Sequence, residues 1–324
     1  MKHRILLILL SLSVLLSGCA DAGTSGRGEE RGENLRIVAT TYPVYLFTCA
    51  VTDGVEGVAV ERLDTGETSC LHDYTLSVQD MKKIEQADVI AMKGAGLEDS
   101  MDDALAASEA AVIDCSEGVE LLFTLEHGHE EDHEGHDHDH GDYDPHIWMD
   151  PENAVQMVDN LVRGLSELDP RREEEYRDNG QGAVALLHSW DGSLKDMLQE
   201  VRESREGFEI SGLITFHDGF QYFAHAYGLP LLAAIEEEAG SEASAHEILE
   251  ITQLVQEQNI PVIFTEVNGS DATAPAISRE TGCRVAQLSM CMDGPDGALA
   301  NYFEALMDNM IAMINGFAGE EVVR

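Results

Sequence analysis

The sequence has few basic residues for its size. It contains 19 lysines and arginines against 62 aspartates and glutamates, a formal net charge of −43 over 324 residues. Proteins that bind nucleic acid do so through basic surface, so this imbalance argues against a nucleic-acid partner. An acidic surface instead raises the local concentration of cations. We interpret most of these carboxylates as a solvated surface that keeps the protein in solution.

The sequence also lacks an apolar run long enough to span a membrane, for which a helix needs about 20 residues. Residues 5–16 form a 12-residue apolar run, interrupted by two serines and preceded by Lys2 and Arg4. This arrangement is typical of a signal-peptide core. The next segment, Leu16-Ser17-Gly18-Cys19, resembles a bacterial lipobox, whose cysteine becomes lipidated. We therefore expect 1–19 to be a lipoprotein signal peptide, with Cys19 anchoring the protein outside the cytoplasm.

Cysteine is scarce, and no CxxC pair occurs. An exported protein can form disulfides, but the cysteines other than Cys19 are odd in number, so at least one thiol remains without a disulfide. Besides Cys19 the chain contains the following cysteines: Cys49, Cys70, Cys115, Cys283 and Cys291. The sequence does not determine how they pair.

Two successive series of short apolar segments alternate with helical patterns, which predicts two mostly parallel sheets covered by helices. Four strands are predicted in each series: Leu35–Thr41, Val55–Leu63, Asp88–Met92 and Ala111–Asp114, then Phe208–Phe216, Leu229–Ile235, Ile260–Val267 and Cys283–Leu288. The fold class is therefore α/β, with two lobes each built on a four-stranded sheet. Ligands of such sheets bind beyond the carboxyl ends of the strands, so we expect the site in the cleft between the lobes.

A long helical stretch separates the two series and predicts a stiff bridge between them. Two aspartate–proline pairs are typical of helix starts, with aspartate as the N-cap and proline at the first helical position: Asp150-Pro151 and Asp169-Pro170. We predict a flexible tether at 20–34, an amino-terminal lobe at 35–150, bridging helices at 151–205 and a carboxyl-terminal lobe at 206–324.

Three histidines follow predicted strands and are candidate metal ligands: His72, His146 and His217. Two belong to the first lobe and one to the second, which predicts a metal site between the lobes. Three neutral imidazoles leave one position of a tetrahedral zinc open. Each ligating histidine usually donates its second N–H to an acceptor. The nearby candidate acceptors are Asp73, Asp144, Asp218 and Glu266.

A separate acidic segment, 126–142, is rich in histidine and poor in apolar residues, which predicts a disordered loop. Its histidines are His127, His129, His133, His136, His138 and His140. Histidine and carboxylate tracts bind borderline metals loosely. The segment either collects or senses metal, or binds it only incidentally, and we do not expect it to form the main site.

The histidine motifs together resemble those of solute-binding lipoproteins that serve zinc and manganese ABC importers, and the zinc-binding, ZnuA-like type in particular. The resemblance extends from Ile37 to the last helix. It rests on His72-Asp73-Tyr74-Thr75-Leu76, Gly94-Ala95-Gly96-Leu97-Glu98, Asp144-Pro145-His146-Ile147-Trp148-Met149-Asp150-Pro151, His217-Asp218-Gly219-Phe220-Gln221-Tyr222-Phe223-Ala224 and Phe264-Thr265-Glu266. It implies two α/β lobes joined by a long helix, with His72, His146 and His217 binding the metal between them.

The sequence does not determine which group is the fourth metal ligand. The family often places an aspartate after the last strand, where this chain has Ser289, with Asp293 a few residues further on. Water, Glu266 and Asp293 are alternatives, and Glu266 also fits an acceptor role behind a histidine.

We expect an extracytoplasmic, monomeric protein that captures Zn²⁺ and delivers it to an ABC permease and its ATPase, with the membrane contacted only through the lipid anchor. Manganese binding by the same fold is the main alternative, since carboxylates suit Mn²⁺ and imidazole suits Zn²⁺. A zinc hydrolase is a second alternative, although no HExxH motif or nucleophile elbow occurs. A surface adhesin, a role suggested for relatives, is the third.

Overall fold

The computed structural model describes residues 34–63, 74–124, 143–236, 244–269 and 272–324. Within these ranges the chain forms two four-stranded sheets in which every strand pair is parallel. The strands of the first sheet are β1 (Leu35–Ala39), β2 (Val58–Arg62), β3 (Val89–Met92) and β4 (Ala111–Asp114). Those of the second are β5 (Leu213–His217), β6 (Leu231–Glu236), β7 (Val262–Glu266) and β8 (Arg284–Leu288). The spatial orders, β2-β1-β3-β4 and β6-β5-β7-β8, are equivalent.

Parallel strands need crossover connections, and helices provide most of them. The helices are α1 (Tyr42–Val51), α2 (Val78–Gln86), α3 (Asp102–Ala106), α4 (Pro151–Leu168), α5 (Glu173–Ser204), α6 (Gln221–Ala226), α7 (Ala245–Glu257), α8 (Ala274–Thr281) and α9 (Ala300–Ala318). Between the sheets, the 32-residue α5 packs on α4, α1 and α9. In the described ranges, none of these helices is long and apolar enough to cross a membrane.

Local capping signals account for several helix ends. Ser77 with Asp80, and Ser244 with Glu247, form reciprocal capping boxes at α2 and α7. The Asp150 side chain accepts from the Glu152 N–H at the start of α4, where proline occupies the first position. Each of these bonds satisfies a backbone donor that the first turn of the helix leaves without a partner.

The apolar spacing of Leu97–Ser108 predicts one further helix, which is shorter in the structure. The pattern at Leu97–Ser108 contains only a 3₁₀ turn at Asp99–Met101 followed by the short α3. Just upstream, Gly94, Ala95 and Gly96 all have positive φ angles of 82°, 50° and 82°. No right-handed helix can include that turn, because consecutive positive φ values are incompatible with one.

The larger of two apolar cores runs from the first sheet through α4 and α5 to one face of the second sheet. Trp148, Tyr176 and Tyr302 are among its largest fully buried side chains. A smaller core lies on the other face of the second sheet, beneath α7 and α8. The two sheets therefore share one packed interior, which confirms the predicted pair of sheets joined by a long helix. We call the first sheet with its helices the amino-terminal lobe and the second the carboxyl-terminal lobe.

Candidate metal centre

The candidate centre lies at the carboxyl ends of the strands of the second sheet, where α/β sheets bind ligands. His217 is the last residue of β5, and Glu266 is the last residue of the adjacent β7. Because Thr215 pairs with Phe264 in these parallel strands, His217 and Glu266 lie level with each other. His146 approaches from the amino-terminal lobe, immediately before the 3₁₀ turn that leads into α4.

His146 and His217 come together as the sequence predicts. Their Nε2 atoms are 3.1 Å apart, and their rings are nearly perpendicular with centroids 4.9 Å apart. Both residues are almost fully buried, with 2% and 3% of their surface exposed. Two imidazoles bound to one tetrahedral zinc, at Zn–N distances near 2.05 Å, hold their nitrogens about 3.3 Å apart. The observed separation is close to that value, so the pair fits zinc with little movement.

Asp144 fixes the orientation of the His146 ring. Its Oδ1 accepts from the His146 backbone N–H at 2.8 Å and pairs with the ring Nδ1 at 2.7 Å. The Asp144 side chain is completely buried, and hydrogen bonds to a carboxylate are stronger than neutral ones. A carboxylate accepts rather than donates, so Nδ1 carries the proton and Nε2 presents its lone pair. Asp144 thereby keeps His146 in the tautomer that binds a metal through Nε2.

A buried tyrosine holds the backbone at Asp144. The Tyr222 hydroxyl donates to the Asp144 carbonyl oxygen at 2.9 Å and accepts from the Leu122 N–H at 3.0 Å. Burial raises the pKa of Tyr222 to about 12, so the phenol remains a donor at neutral pH. Tyr222 belongs to α6 of the carboxyl-terminal lobe, and this contact therefore ties the two lobes together beside the site.

A buried lysine holds the carbonyl of Pro145, the residue that follows Asp144. Lys93 is fully buried, and its Nζ donates to the Pro145 carbonyl oxygen at 2.6 Å. Glu98, itself buried, accepts from the Lys93 and Gly94 backbone N–H groups at 2.7 and 3.0 Å and from the Thr40 hydroxyl at 2.6 Å. Burial raises the pKa of Glu98, and the Lys93 charge opposes that rise. The Lys93–Glu98 pair thus organises the turn that supports the segment before His146.

Apolar side chains form a wall of the site. The Trp148 ring lies edge-on to His146 at 5.3 Å, and its Nε1–H donates to the Met290 carbonyl oxygen at 2.8 Å. A Cβ placed on Gly219 would be 2.5 Å from the Met290 methyl carbon and 2.9 Å from the His217 ring. Only glycine fits there without displacing a neighbour. The loop after β8 therefore packs against Trp148 and Gly219, beside His217.

The oxygen candidates for a fourth ligand have different surroundings. Glu266 is buried, with 4% of its surface exposed. Ser289 is fixed by Asn309 through its N–H at 2.7 Å and its carbonyl at 2.8 Å, while its hydroxyl accepts from the Cys291 N–H at 3.1 Å. Asp293 forms an ion pair with Arg62 at 2.9 Å and is partly exposed. Burial raises the pKa of the nearby Cys291 thiol to about 12, so without a bound metal this thiol stays protonated at neutral pH.

Several predicted sites lie outside the described residues: His72, the histidines of 126–142, Asp73, Cys70 and Cys19. Within the described ranges, no group of three or more histidine, cysteine, aspartate or glutamate side chains is arranged to hold a metal. The described part of the centre therefore consists of two predicted ligands with their supports. Cys49, Cys115, Cys283 and Cys291 form no disulfide among the described residues.

The supporting roles of four residues were not predicted from the sequence: Tyr222, Lys93, Met290 and Arg62. Tyr222 was visible as part of the motif after His217, and Lys93 directly precedes the glycine-rich motif. Met290 and Arg62 carry no local signal, because their partners are separated from them by more than a hundred residues of chain.

Comparison with known proteins adds independent information. A family model described as zinc-uptake complex component A, periplasmic (ZnuA), matches residues 37–316. The zinc-binding lipoprotein AdcA of Streptococcus pneumoniae is 28% identical over 318 residues, which cover 96% of this chain and 60% of the relative. The high-affinity zinc uptake system protein ZnuA of Bacillus subtilis is 26% identical over 287 residues, 88% of this chain and 87% of the relative. The chain thus spans 60% of the length of its streptococcal relative.

Solved structures share the fold. A mutant structure of the laminin-binding adhesin Lmb from Streptococcus agalactiae has a TM-score of 0.71 and 25% identity, covering 88% of this chain and all of that chain. A crystal structure of ZnuA has a TM-score of 0.70 at 23% identity, covering 86% of this chain. The family resemblance predicted from the histidine motifs is confirmed.

Proposed function

This chain belongs to the family of zinc-uptake complex component A, and we propose that it captures Zn²⁺ outside the cytoplasm and delivers it to an ABC importer. His72, His146 and His217 bind the metal in this proposal. The observation that carries it is the 3.1 Å approach of two buried Nε2 atoms at the carboxyl end of β5. Relatives named for zinc binding or zinc uptake support the choice of cargo.

The donor set favours zinc over manganese. Imidazole suits zinc, whereas carboxylates suit harder ions such as Mn²⁺, and intrinsic affinity rises from manganese toward zinc. Competition between equal Zn²⁺ and Mn²⁺ at limiting protein, quantified by mass spectrometry, tests the assignment. We expect zinc to occupy nearly all of the protein. Manganese occupancy equal to or above that of zinc contradicts the zinc assignment and leaves the broader one, a divalent-metal receptor.

Delivery to a permease and its ATPase, and anchoring through Cys19, complete the proposal. The relative AdcA is named a lipoprotein, and the family description is periplasmic, which supports a position outside the cytoplasm. Fractionation of cells that express Cys19→Ala tests the anchor. We expect the variant to leave the membrane fraction. A variant that still sediments with membranes at high salt shows that the anchor lies elsewhere.

Binding rather than catalysis is part of the same proposal. A catalytic zinc needs a general base and a pocket for an organic substrate beside the metal. Trp148, Met290 and Gly219 pack closely beside the histidine pair and occupy one side of the site. Hydrolysis of ester, amide and phosphate probes by zinc-loaded protein tests this, and turnover lost in His217→Ala would contradict it.

An adhesive role is a second candidate, because the fold matches that of a laminin-binding adhesin. Binding of the purified protein to immobilised laminin, with and without zinc, tests it. Saturable binding would support a second activity beside metal capture, and its absence would remove the candidate.

A further inference from the structure

The loop between β8 and α9, residues 289–299, carries the carboxylate that could supply the metal with an oxygen ligand. Its first residues form a wall of the site, since Met290 packs beside His217 and accepts the Trp148 indole N–H at 2.8 Å. Asp293 follows three residues later, and three residues of chain span at most about 10 Å. The Asp293 backbone therefore lies within about 10 Å of the Met290 backbone, whose carbonyl oxygen accepts from the Trp148 ring beside His146.

The structure holds Asp293 on the opposite lobe instead. The Arg62 Nη2 atom lies 2.9 Å from Asp293 Oδ1 and 3.4 Å from the Gly294 carbonyl oxygen. Arg62 is the last residue of β2, so this contact joins the amino-terminal lobe to a loop of the carboxyl-terminal lobe. The guanidinium thus fixes both the carboxylate and the backbone that follows it.

Arg62 is itself held in place. Its guanidinium carbon lies 4.7 Å from the centre of the Tyr42 ring and 5.8 Å from that of Tyr45, a cation–π arrangement. The Lys83 Nζ donates to the Arg62 carbonyl oxygen at 2.7 Å. Arg62 therefore has a fixed position rather than that of a mobile surface side chain.

The same loop is fixed on the amino-terminal lobe beyond Asp293. The Tyr42 hydroxyl donates to the Asp296 carbonyl oxygen at 2.8 Å, and a Cβ on Gly294 would be 2.0 Å from that hydroxyl oxygen. Asp296 is also engaged, accepting from the Ala298 N–H and the Asn301 amide, each at 2.9 Å. Both carboxylates of the loop consequently point to partners other than the metal site.

We propose that Arg62 is a specificity-determining residue for the metal, because it keeps the Asp293 carboxylate away from the histidine ligands. The inference rests on the proposed function. An added carboxylate would favour Mn²⁺, whereas a site of imidazoles favours Zn²⁺. By withholding that oxygen, Arg62 keeps the site nitrogen-rich and selective for zinc, although among the described residues it bonds to neither His146 nor His217.

The test compares dissociation constants for Zn²⁺ and Mn²⁺ in Arg62→Gln, Asp293→Asn and the double variant. Arg62→Gln should lower the ratio of the manganese constant to the zinc constant by roughly tenfold, the lower end of effects seen for residues around metal ligands. Asp293→Asn in the same background should restore the wild-type ratio, because the released carboxylate causes the change. Asp293→Asn alone should leave both constants unchanged, since Asp293 binds no metal in the wild-type protein.

Arg205→Gln is the matched control, because it removes the same charge from another partly exposed ion pair, Arg205–Glu320 at 2.8 Å. It should not change the ratio. An unchanged ratio in Arg62→Gln, or a changed ratio that persists in the double variant, overturns the inference. A loss of affinity in Asp293→Asn alone also overturns it, whether or not Arg62→Gln folds. Failure of the proposed function is distinguishable, since wild-type protein would then bind no zinc.

Discussion

The Nε2 atoms of His146 and His217 face each other at 3.1 Å, and Asp144 determines which of the two donates a proton. Because Asp144 accepts the Nδ1–H of His146 at 2.7 Å, the His146 Nε2 atom is an acceptor. The metal-free contact is then a hydrogen bond from His217 Nε2–H to His146 Nε2. In the proposed site zinc would take the place of that proton, so His217 would have to change tautomer or lose the proton when the metal binds.

His146→Ala or His217→Ala should weaken zinc binding by more than about 100-fold, because a lost ligand costs more than the 10–100-fold typical of residues behind the ligands. His72→Ala should behave in the same way if it is the third ligand. Calorimetry on the three folded variants measures the effect.

The control for these variants is His188→Ala, an exposed histidine on α5 near Glu152. It should bind zinc as the wild-type protein does. Unchanged tight binding in any two of the three ligand variants would show that the main site lies elsewhere.

A tryptophan beside the site should report metal binding. The chain has two tryptophans, and Trp148 lies buried 5.3 Å from His146, whereas Trp190 stacks on Phe303 at 5.1 Å. Zinc changes the charge and hydrogen bonding next to the Trp148 ring. We expect a change in fluorescence on adding zinc that is lost in Trp148→Phe and retained in Trp190→Phe. A response that depends on Trp190 instead would contradict the placement of the metal.

Gly219→Ala should weaken zinc binding, because its Cβ would be 2.9 Å from the His217 ring and 2.5 Å from the Met290 methyl. The flexible methionine can move aside, but His217 can move only by leaving its position opposite His146. We expect a loss of roughly tenfold in affinity, measured by competition with a zinc chelator. Gly182→Ala is the control, since no atom lies within 4 Å of a Cβ there. Equal affinities in the two variants would contradict the proposed packing constraint.

Much of the fold can be predicted from local sequence, whereas the metal site can be predicted only in part. Caps such as Ser77 with Asp80 mark helix ends because donor and acceptor are three residues apart. The histidines were recognisable because each follows a predicted strand or belongs to a motif. The Arg62–Asp293 contact joins residues separated by 231 positions, and no local pattern encodes it. Burial of Lys93 was likewise unpredictable, because a lysine in sequence gives no sign of its partners.

Deleting 126–142 should leave one tight zinc site and remove only weaker binding, because the predicted main ligands lie outside that segment. The flanking Phe123 and Tyr143 form an antiparallel bridge, and their rings stack at 4.8 Å. The two ends are therefore close enough for a short glycine linker to join them. Zinc titration of the deleted and full-length proteins gives the number of sites. Loss of the tightest site would place the main chemistry within 126–142.

Asp144→Asn should weaken zinc binding while the protein stays folded. The amide oxygen is a weaker acceptor than a carboxylate, so the His146 tautomer with Nδ1–H is less strongly favoured. If the amide turns its NH₂ toward Nδ1 instead, Nε2 carries the proton and offers no lone pair to the metal. Either outcome reduces zinc affinity, by about 10–100-fold for a residue in this role.

Asp114→Asn is a close control for this substitution. Asp114 Oδ1 accepts from the backbone N–H and the side chain of Ser116, two residues on, at 2.8 and 2.7 Å, which are the distances of the Asp144 contacts with His146. The two aspartates therefore make the same local hydrogen bonds, but Asp114 is exposed and, in the part of the chain that the structure describes, bonds to neither His146 nor His217. A purely structural role for Asp144 predicts that both variants lose stability without losing zinc affinity. A positioning role predicts that only Asp144→Asn binds zinc more weakly, as measured by chelator competition at a temperature where both variants are folded.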